Sequence, residues 1–245
     1  MYLFRTSLGP ADIAFTDRWG GVSTGTYAEL NLALTGGDEE ASIRANHAAL
    51  LGDFAPGAAL ADLHQVHGDT VVRATAGAAA DWQRPDADGV VTTDPDVVLM
   101  VRAADCVPVV LVDPAARVVG AAHAGRAGVQ LGVVTATVRA MRELGAERVV
   151  GFIGPHVCGG CYEVPEQMRD EVAAVVPATT ASTTWGTPSL DLGAGVRAQL
   201  EAADVLVHDV SECTRESERL YSHRRDGAGA GRQAGVVRLR PREAA

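Results

Sequence analysis

The chain has 245 residues, enough for one sizeable hydrophobic core, and 47% of them are hydrophobic while 4% are aromatic. The formal net charge of −10 is spread without a basic stripe, which argues against a nucleic-acid partner or an anionic membrane surface. All 21 basic residues are arginine, so Schiff-base chemistry on lysine and a Walker-type phosphate loop are excluded. We therefore predict one domain, residues 1–245, that acts on a small molecule.

Short Val- and Leu-rich runs bounded by Gly, Pro or Asp predict strands, and longer segments with helical spacing predict helices. The mixture favours the mixed α/β class (α+β) without strict alternation. The glycine-rich segment 227–235 is either a linker or a tight loop beside a site. In chain order the predicted strands are 11–17, 63–66, 70–73, 89–92, 97–102, 107–113, 117–123, 148–153 and 205–210, the last two buried, and the predicted helices are 38–51, 129–144 and 192–203.

Cysteine usage and the first residues of the chain indicate a reducing compartment. Four cysteines in a chain of this length do not form a disulfide framework, so metal binding or catalysis suits their thiols better. No apolar run approaches the roughly 20 residues that span a bilayer, and the opening segment lacks the layout of a signal peptide. We expect a cytoplasmic monomer with no membrane partner.

A hairpin in the middle of the chain is predicted to bring a cysteine opposite a histidine. The sequence DPAA at residues 113–116 is typical of a tight turn, because proline suits the second position. A two-residue loop there pairs Cys106 with His123 and places their Cβ atoms roughly 5 Å apart. The two side chains can then share a metal ion or act as nucleophile and base, and an inert buried cysteine is the alternative.

His67 is the third candidate ligand. It follows a short apolar run and precedes a glycine in LHQVHGD, so we expect it where a strand breaks into a turn. His64 lies in the same segment, and we interpret one of the two histidines as incidental. Cys158 and Cys161 form a lone CxxC, which we interpret as a loop thiol pair, and Cys213 has no evident partner in the sequence.

Several short motifs are distributed along the whole chain. They are DRWGGVS (17–23) with NLAL (31–34), HQVHG (64–68), DADGVVT (86–92), RAADCVPV (102–109), AAHAG (121–125), GPHVCGGCYEV (154–164) and SHRRDGAGAGRQAG (222–235). Together they resemble the laccase-domain family of bacterial purine nucleoside phosphorylase and adenosine deaminase proteins, also called peptidoglycan editing factors. The resemblance implies an αββα-like layered sandwich. It also implies a zinc site formed by the second histidine of HQVHG, the cysteine of ADC and the histidine of HAG, which are His67, Cys106 and His123.

The resemblance implies a zinc enzyme, with copper as an alternative metal, that phosphorolyses adenosine, inosine or guanosine and deaminates adenosine. Two imidazoles and one thiolate leave an open position on a tetrahedral zinc, as in catalytic sites. Phosphate has to be held by arginine, and the candidates for substrate binding are Arg18, Arg224 and Arg225. Gln65 and Asp105 are the expected polar partners of the histidine rings.

Two alternatives stay open. One is a copper-dependent polyphenol oxidase, although seven histidines without a His-x-His pair poorly furnish several copper centres. The other is a metal-free Cys–His hydrolase that edits peptidoglycan precursors, with Cys106 as nucleophile and His123 as base. The chain also departs from the family pattern, with Arg126-Ala127 where Trp-Arg usually follows HAG, and with His47 where the first helix often has an arginine.

Overall fold

The computed structural model describes residues 1–34, 36–79 and 83–242. Two β-sheets pack face to face, and helices cover their outer faces. Alternate residues of a strand point to opposite faces, so Val110 and Val112 meet the other sheet while Val109 and Leu111 meet helices. The mixed α/β class and the αββα layering are thereby confirmed.

The elements are named here in chain order. The strands are β1 Tyr2–Leu8, β2 Ala11–Thr16, β3 Ala59–Ala61, β4 Val71–Arg73, β5 Gly89–Thr92, β6 Val97–Ala103, β7 Val107–Asp113, β8 Val118–Ala124, β9 Val150–Ile153, β10 Thr180–Ser182, β11 Pro188–Leu190, β12 Leu206–Asp209 and β13 Gln233–Leu239. The helices are α1 Glu40–Phe54, α2 Ala76–Ala79, α3 Arg126–Leu131, α4 Val133–Glu143, α5 Glu166–Val175, α6 Leu192–Ala202 and α7 His223–Asp226. Among the described residues, no helix combines the length and apolar character needed to cross a bilayer.

The two large sheets differ in how their strands are ordered. One has the order β1-β2-β13-β6-β3, antiparallel except where β3 lies beside β6. Strand β13 begins inside the glycine-rich segment, which is therefore partly a central strand rather than a linker. The other sheet has the order β12-β9-β7-β8-β5-β4, and β10 and β11 form a two-stranded sheet. Because β7 and β8 are central in the second sheet, their ends give the site a rigid base.

Three predicted elements are corrected by the structure. Residues 63–66 are not a strand, because β3 ends at Ala61 and the backbone that follows turns towards the carboxylate of Asp88. The single helix predicted over 129–144 is two helices, α3 and α4, since Gly132 between them has a left-handed φ of 84°. Strand β12 is largely exposed at a sheet edge rather than buried.

The register of the β7–β8 hairpin also differs from the prediction. His123 pairs with Pro108, so the predicted pairing with Cys106 is wrong. The loop between Asp113 and Val118 has four residues instead of two, and the Asp113 side chain accepts two backbone N–H groups inside it. A shift of two residues keeps side chains on the same face, which is why Cys106 still lies near His123.

Candidate metal centre

His67, Cys106 and His123 come together from three parts of the second sheet. His67 lies in the loop before β4, Cys106 immediately precedes β7, and His123 is near the end of β8. One ligand atom from each lies within 4.8 Å of the other two. The Cys106 sulfur is 3.7 Å from His67 Nε2, and the two imidazole rings are 4.8 Å apart at 77°. The structure thus assembles the three residues that the sequence singles out.

A buried carboxylate, Asp88, holds both histidines in position. Its Oδ1 atom lies 2.8 Å from His123 Nδ1 and accepts the backbone N–H of His67 at 3.1 Å. Its Oδ2 atom accepts the N–H groups of Val66 and Gly68. Burial disfavours the charged carboxylate, but His123 and these backbone donors keep the pKa of Asp88 below its ordinary value. Because Asp88 occupies Nδ1, the Nε2 atom of His123 is the one free to bind an ion.

The backbone around the centre adopts uncommon conformations. His67 has φ of 62° and Asp105 has φ of 90°, a region that costs a residue with a side chain on the order of 1–3 kcal/mol. Side-chain acceptors from other elements offset that cost, with Asp88 binding the His67 loop. Gly125 follows the HA pair, and a Cβ there would lie 2.5 Å from the His67 ring and 3.1 Å from the Cys106 sulfur. Only glycine fits against the centre at that position.

The charges of Cys106 and His123 are linked. Burial opposes ionisation of the thiol, yet His123 and His67 lower the pKa of Cys106 to about 6. Burial likewise opposes protonation of His123, but the Cys106 thiolate and Asp88 raise the pKa of that imidazole to about 9. At neutral pH the ion-free pair is therefore a thiolate beside an imidazolium. A metal ion that binds here takes the place of the His123 proton.

The donor set fits a zinc-class cation. Two imidazole nitrogens and a thiolate are preferred zinc ligands, and a tetrahedral zinc places a bound sulfur and nitrogen roughly 3.5 Å apart. The 3.7 Å between the Cys106 sulfur and His67 Nε2 is close to that separation. The same ligand types also bind copper, so the residues define a metal site without fixing which metal occupies it.

The centre opens into a cavity of about 600 Å³ with a basic lining. Its described wall includes Arg102, Arg126, Arg224 and Arg232, with Asp105 as the one carboxylate among the described lining residues. Asp105 is already bonded to three donors of the chain. A protein of net charge −10 thus presents a locally cationic cavity, which suits an anionic substrate.

The cavity arginines differ in how their guanidinium groups are used. Arg102 is buried and bonded to Asp62 at 2.6 Å, so it supports the wall. Arg224 stacks over the Tyr162 ring at 4.5 Å and donates to the Glu163 carbonyl at 2.7 Å. Among the described side chains, Arg126 donates to Gln130 at 3.1 Å. Arg232 donates from its Nη1 atom to the carbonyl oxygens of Ala230 and Gly231. Within the described part of the chain, Arg126, Arg224 and Arg232 therefore keep donors for a substrate.

Two of the three arginines predicted to bind substrate lie elsewhere. Arg18 donates to the Ala28 carbonyl and stacks over Tyr221 at 4.6 Å, outside the described cavity lining. Arg225 donates to the carbonyl oxygens of Thr214, Ser217 and Leu220, so it holds a loop together. Of the three, Arg224 alone lies among the described lining residues.

The two polar residues expected beside the histidine rings bond to other groups. The Gln65 amide makes reciprocal bonds with the Arg102 backbone. Asp105 accepts the Thr214 and Ser222 hydroxyls and the Arg224 N–H. The carboxylate on the His123 ring is Asp88, which lies within DADGVVT. Arg126, Tyr162 and Arg232 also line the cavity and were not predicted from the sequence. For Arg232, the run of glycines before it was a signal that could have indicated a loop beside the site.

A sequence profile identifies the family to which the chain belongs. The profile of the family described as multi-copper polyphenol oxidoreductase laccase matches residues 12–240. The chain belongs to this laccase family. The match spans every element that builds the metal centre.

Two proteins of similar sequence are named purine nucleoside phosphorylase, and a protein of known structure has a similar fold. A purine nucleoside phosphorylase of Streptomyces coelicolor is 50% identical over 243 residues, covering 96% of this chain and 98% of that protein. A purine nucleoside phosphorylase of Streptomyces griseus is 50% identical over 236 residues, covering 94% and 95%. A Neisseria meningitidis protein of known structure superposes with a TM-score of 0.85 at 30% identity, covering 97% of this chain and 99% of that one. The two relatives named purine nucleoside phosphorylase indicate an enzyme.

Proposed function

We propose that the chain is a zinc-dependent purine nucleoside phosphorylase that also deaminates adenosine. One observation carries the proposal: the His67–Cys106–His123 centre opens into an arginine-lined cavity. The cavity volume of about 600 Å³ lies within the range of small-molecule sites and accommodates a nucleoside with phosphate. The two relatives that are 50% identical and are named purine nucleoside phosphorylase also support purine nucleosides as substrates.

In phosphorolysis a phosphate oxygen bonds to C1′ of the ribose while the glycosidic C–N bond breaks. The products are the free purine base and ribose 1-phosphate. Arg126, Arg224 and Arg232 bind the phosphate, because guanidinium forks match its oxygens and the chain has no lysine. Holding phosphate and nucleoside together in the cavity lowers the entropic part of the barrier.

One proton has to reach the leaving group in each reaction, the purine in phosphorolysis and the ammonia in deamination. His64 lines the cavity, and its Nδ1 lies 2.7 Å from Asp86 Oδ1, which fixes the orientation of the ring. We assign the proton transfer to His64. The first histidine of HQVHG is then part of the machinery rather than incidental.

His67, Cys106 and His123 would hold the zinc ion, and Asp88 orients the His123 ring for it. When bound, zinc supplies Lewis-acid polarisation and eases deprotonation of water, which adenosine deamination needs. Deamination adds water at C6 of the purine and releases ammonia. The lowered pKa of Cys106 keeps the thiolate available as a ligand at neutral pH.

A second candidate function follows from the charges of the Cys106–His123 pair. A thiolate beside an imidazolium also suits a metal-free nucleophile that hydrolyses an amide or ester in peptidoglycan precursors. A copper oxidase is favoured less, since the centre offers two imidazoles and multicopper oxidation uses several imidazole-rich centres.

Removal and return of the metal distinguishes these functions. The protein is dialysed against a chelator, and inosine and adenosine products are followed by chromatography with and without phosphate. We expect both activities to disappear with the metal and to return with zinc. Full nucleoside turnover by the metal-free protein would show that the reaction does not need zinc. No nucleoside turnover by the zinc-loaded protein would favour the Cys–His hydrolase instead. If copper and not zinc restored activity, and oxygen were consumed, the result would favour the copper oxidase.

A further inference from the structure

A second group of metal-binding side chains lies outside the cavity. The sulfur atoms of Cys158, Cys161 and Cys213 and a carboxylate oxygen of Glu216 all lie within 4.8 Å of one another. The three cysteines are free thiols, and none of the four residues belongs to the described cavity lining. The interpretation of Cys158 and Cys161 as an isolated loop pair was therefore incomplete. Cys213, which has no partner visible in the sequence, lies beside them.

The four side chains come from two tight turns of the same spacing. In the first turn, the N–H of Cys161 donates to the Cys158 carbonyl at 3.0 Å. In the second, the N–H of Glu216 donates to the Cys213 carbonyl at 3.2 Å. A turn of four residues brings its first and last residues together, so each presents two ligands separated by two residues. Structural zinc sites use ligand pairs with this spacing.

The two turns face each other through their ligand atoms. The backbone N–H of Cys158 donates to the Cys213 sulfur at 3.4 Å, and the Cys161 sulfur lies 3.4 Å from Glu216 Oε1. The Arg225 guanidinium stabilises the second turn, because it donates to the carbonyl oxygens of Thr214 and Ser217. The ligands are thus held in place by bonds within the chain.

We propose that Cys158, Cys161, Cys213 and Glu216 form a second, structural site for a zinc-class cation. Three thiolates select a soft cation over magnesium or calcium, and four protein ligands close a tetrahedral site. Two sulfurs on one tetrahedral zinc lie roughly 3.8 Å apart, so ligand atoms spread over at most 4.8 Å need to close by about 1 Å.

The site joins a loop that lines the cavity to a second loop that bonds to Asp105 in the cavity wall. Tyr162, which follows Cys161, lies under the Arg224 guanidinium. Thr214, which follows Cys213, donates its hydroxyl to Asp105 at 2.6 Å. An ion bound between the turns would keep this wall and Arg224 in place. That consequence for phosphate binding rests on the proposed function, whereas the metal site itself does not.

Metal counting tests the site independently of any nucleoside activity. The parent, the Cys106→Ala and Cys161→Ser proteins and the double variant that carries both changes are purified with zinc, and their metal content is measured by mass spectrometry. We expect two ions per chain in the parent, one in each single variant and none in the double variant. A Cys106→Ala protein without zinc overturns the proposal, as does a Cys161→Ser protein with the parent's content. If only the His67–Cys106–His123 centre does not bind zinc, the Cys106→Ala protein still contains zinc and the double variant contains none.

Cobalt substitution identifies the ligands directly. Cys106→Ala keeps three of the four cysteines, so its thiolate-to-cobalt absorption should be about three quarters of the parent's. Glu216 is exposed, so Glu216→Gln is a second variant that should fold normally, and it should weaken cobalt binding at least about tenfold. Glu218→Gln, an exposed neighbour, is the matched control and should bind as the parent does. Equal cobalt affinity in the Glu216 and Glu218 variants, or a disulfide between two of the three cysteines in the protein as purified, overturns the proposal.

Discussion

The carboxylate of Asp88 lies 2.8 Å from Nδ1 of His123 and is wholly buried beneath the metal centre. The same carboxylate accepts backbone N–H groups from the loop that carries His67. One side chain therefore positions two of the three metal ligands. The Asp88→Asn variant tests that role, because its amide NH₂ group would face N–H donors and could not accept from them.

We expect Asp88→Asn to lower zinc affinity by roughly 10- to 100-fold, and kcat/KM with it. Competition with a chromogenic chelator measures the affinity. Asp69→Asn, which changes an exposed carboxylate in the same loop, is the matched control and should bind zinc normally. Equal zinc affinity in the Asp88 and Asp69 variants would show that Asp88 does not orient the ligands.

Arg126 should distinguish the two proposed reactions. It lines the cavity, and among the described side chains its guanidinium group donates to Gln130 from one nitrogen, so Arg126→Gln removes a charge-assisted contact to phosphate worth about 1.5–3 kcal/mol. We expect the phosphate KM to rise roughly 10- to 100-fold while adenosine deamination, which uses no phosphate, is retained. Arg139→Gln, an exposed arginine of α4, serves as the control. An unchanged phosphate KM in Arg126→Gln removes this residue from the phosphate site.

The thiol of Cys106 should react as a thiolate at unusually low pH once the metal is removed. Its pKa of about 6 predicts that alkylation by iodoacetamide reaches half its maximal rate near that pH, and that zinc protects the thiol. Peptide mass spectrometry assigns the modified cysteine as the pH is varied. A midpoint near the ordinary thiol value of 9 would mean that His123 and His67 do not stabilise the thiolate.

Asp113 should make the stability of the hairpin depend on pH. Burial raises its pKa, but four backbone N–H groups of residues 115, 116, 147 and 148 outweigh burial, and the net pKa lies below its ordinary value. A lowered folded-state pKa contributes stability that is present above the unfolded pKa of about 4 and is lost as the pH falls through the folded value.

We therefore expect Asp113→Asn to lower the free energy of unfolding by about 2–3 kcal/mol at pH 7, and by less in acid. Urea unfolding at a series of pH values measures the difference. Glu143→Gln changes an exposed carboxylate of α4 and should be neutral throughout. A deficit in Asp113→Asn that stays constant down to pH 3 would show that the charge of Asp113 is not responsible.

The sequence predicted the central hairpin better than its register. The run of valines and the turn at 113–116 place β7 and β8 correctly, because these features are local. The loop length depended on Asp113 bonding to its own loop and to residues 147 and 148, which no local pattern shows. Cys106 and His123 are nevertheless neighbours as predicted, because a register error of two residues leaves a side chain on the same face of its strand.

Long-range partners were the part of the site that sequence reasoning could not supply. Asp88 is 35 residues from His123, and Cys213 is 55 residues from Cys158, so spacing alone does not join them. The sequence shows that an arginine is charged, but it does not show which groups its side chain contacts. Arg225 turned out to bind carbonyl oxygens of its own loop, while Arg126, in the position that the family usually gives to tryptophan, lines the cavity.

The most direct test is the turnover of inosine by the zinc-loaded parent and by Cys106→Ala, with products separated by chromatography. We expect the parent to release hypoxanthine and ribose 1-phosphate in equal amounts only when phosphate is present. The variant, with a cavity costing about 1–3 kcal/mol, should stay folded by circular dichroism and release hypoxanthine at least about 100-fold more slowly. Release at the parent's rate by the folded variant, or no nucleoside turnover by the zinc-loaded parent, would contradict the proposed function.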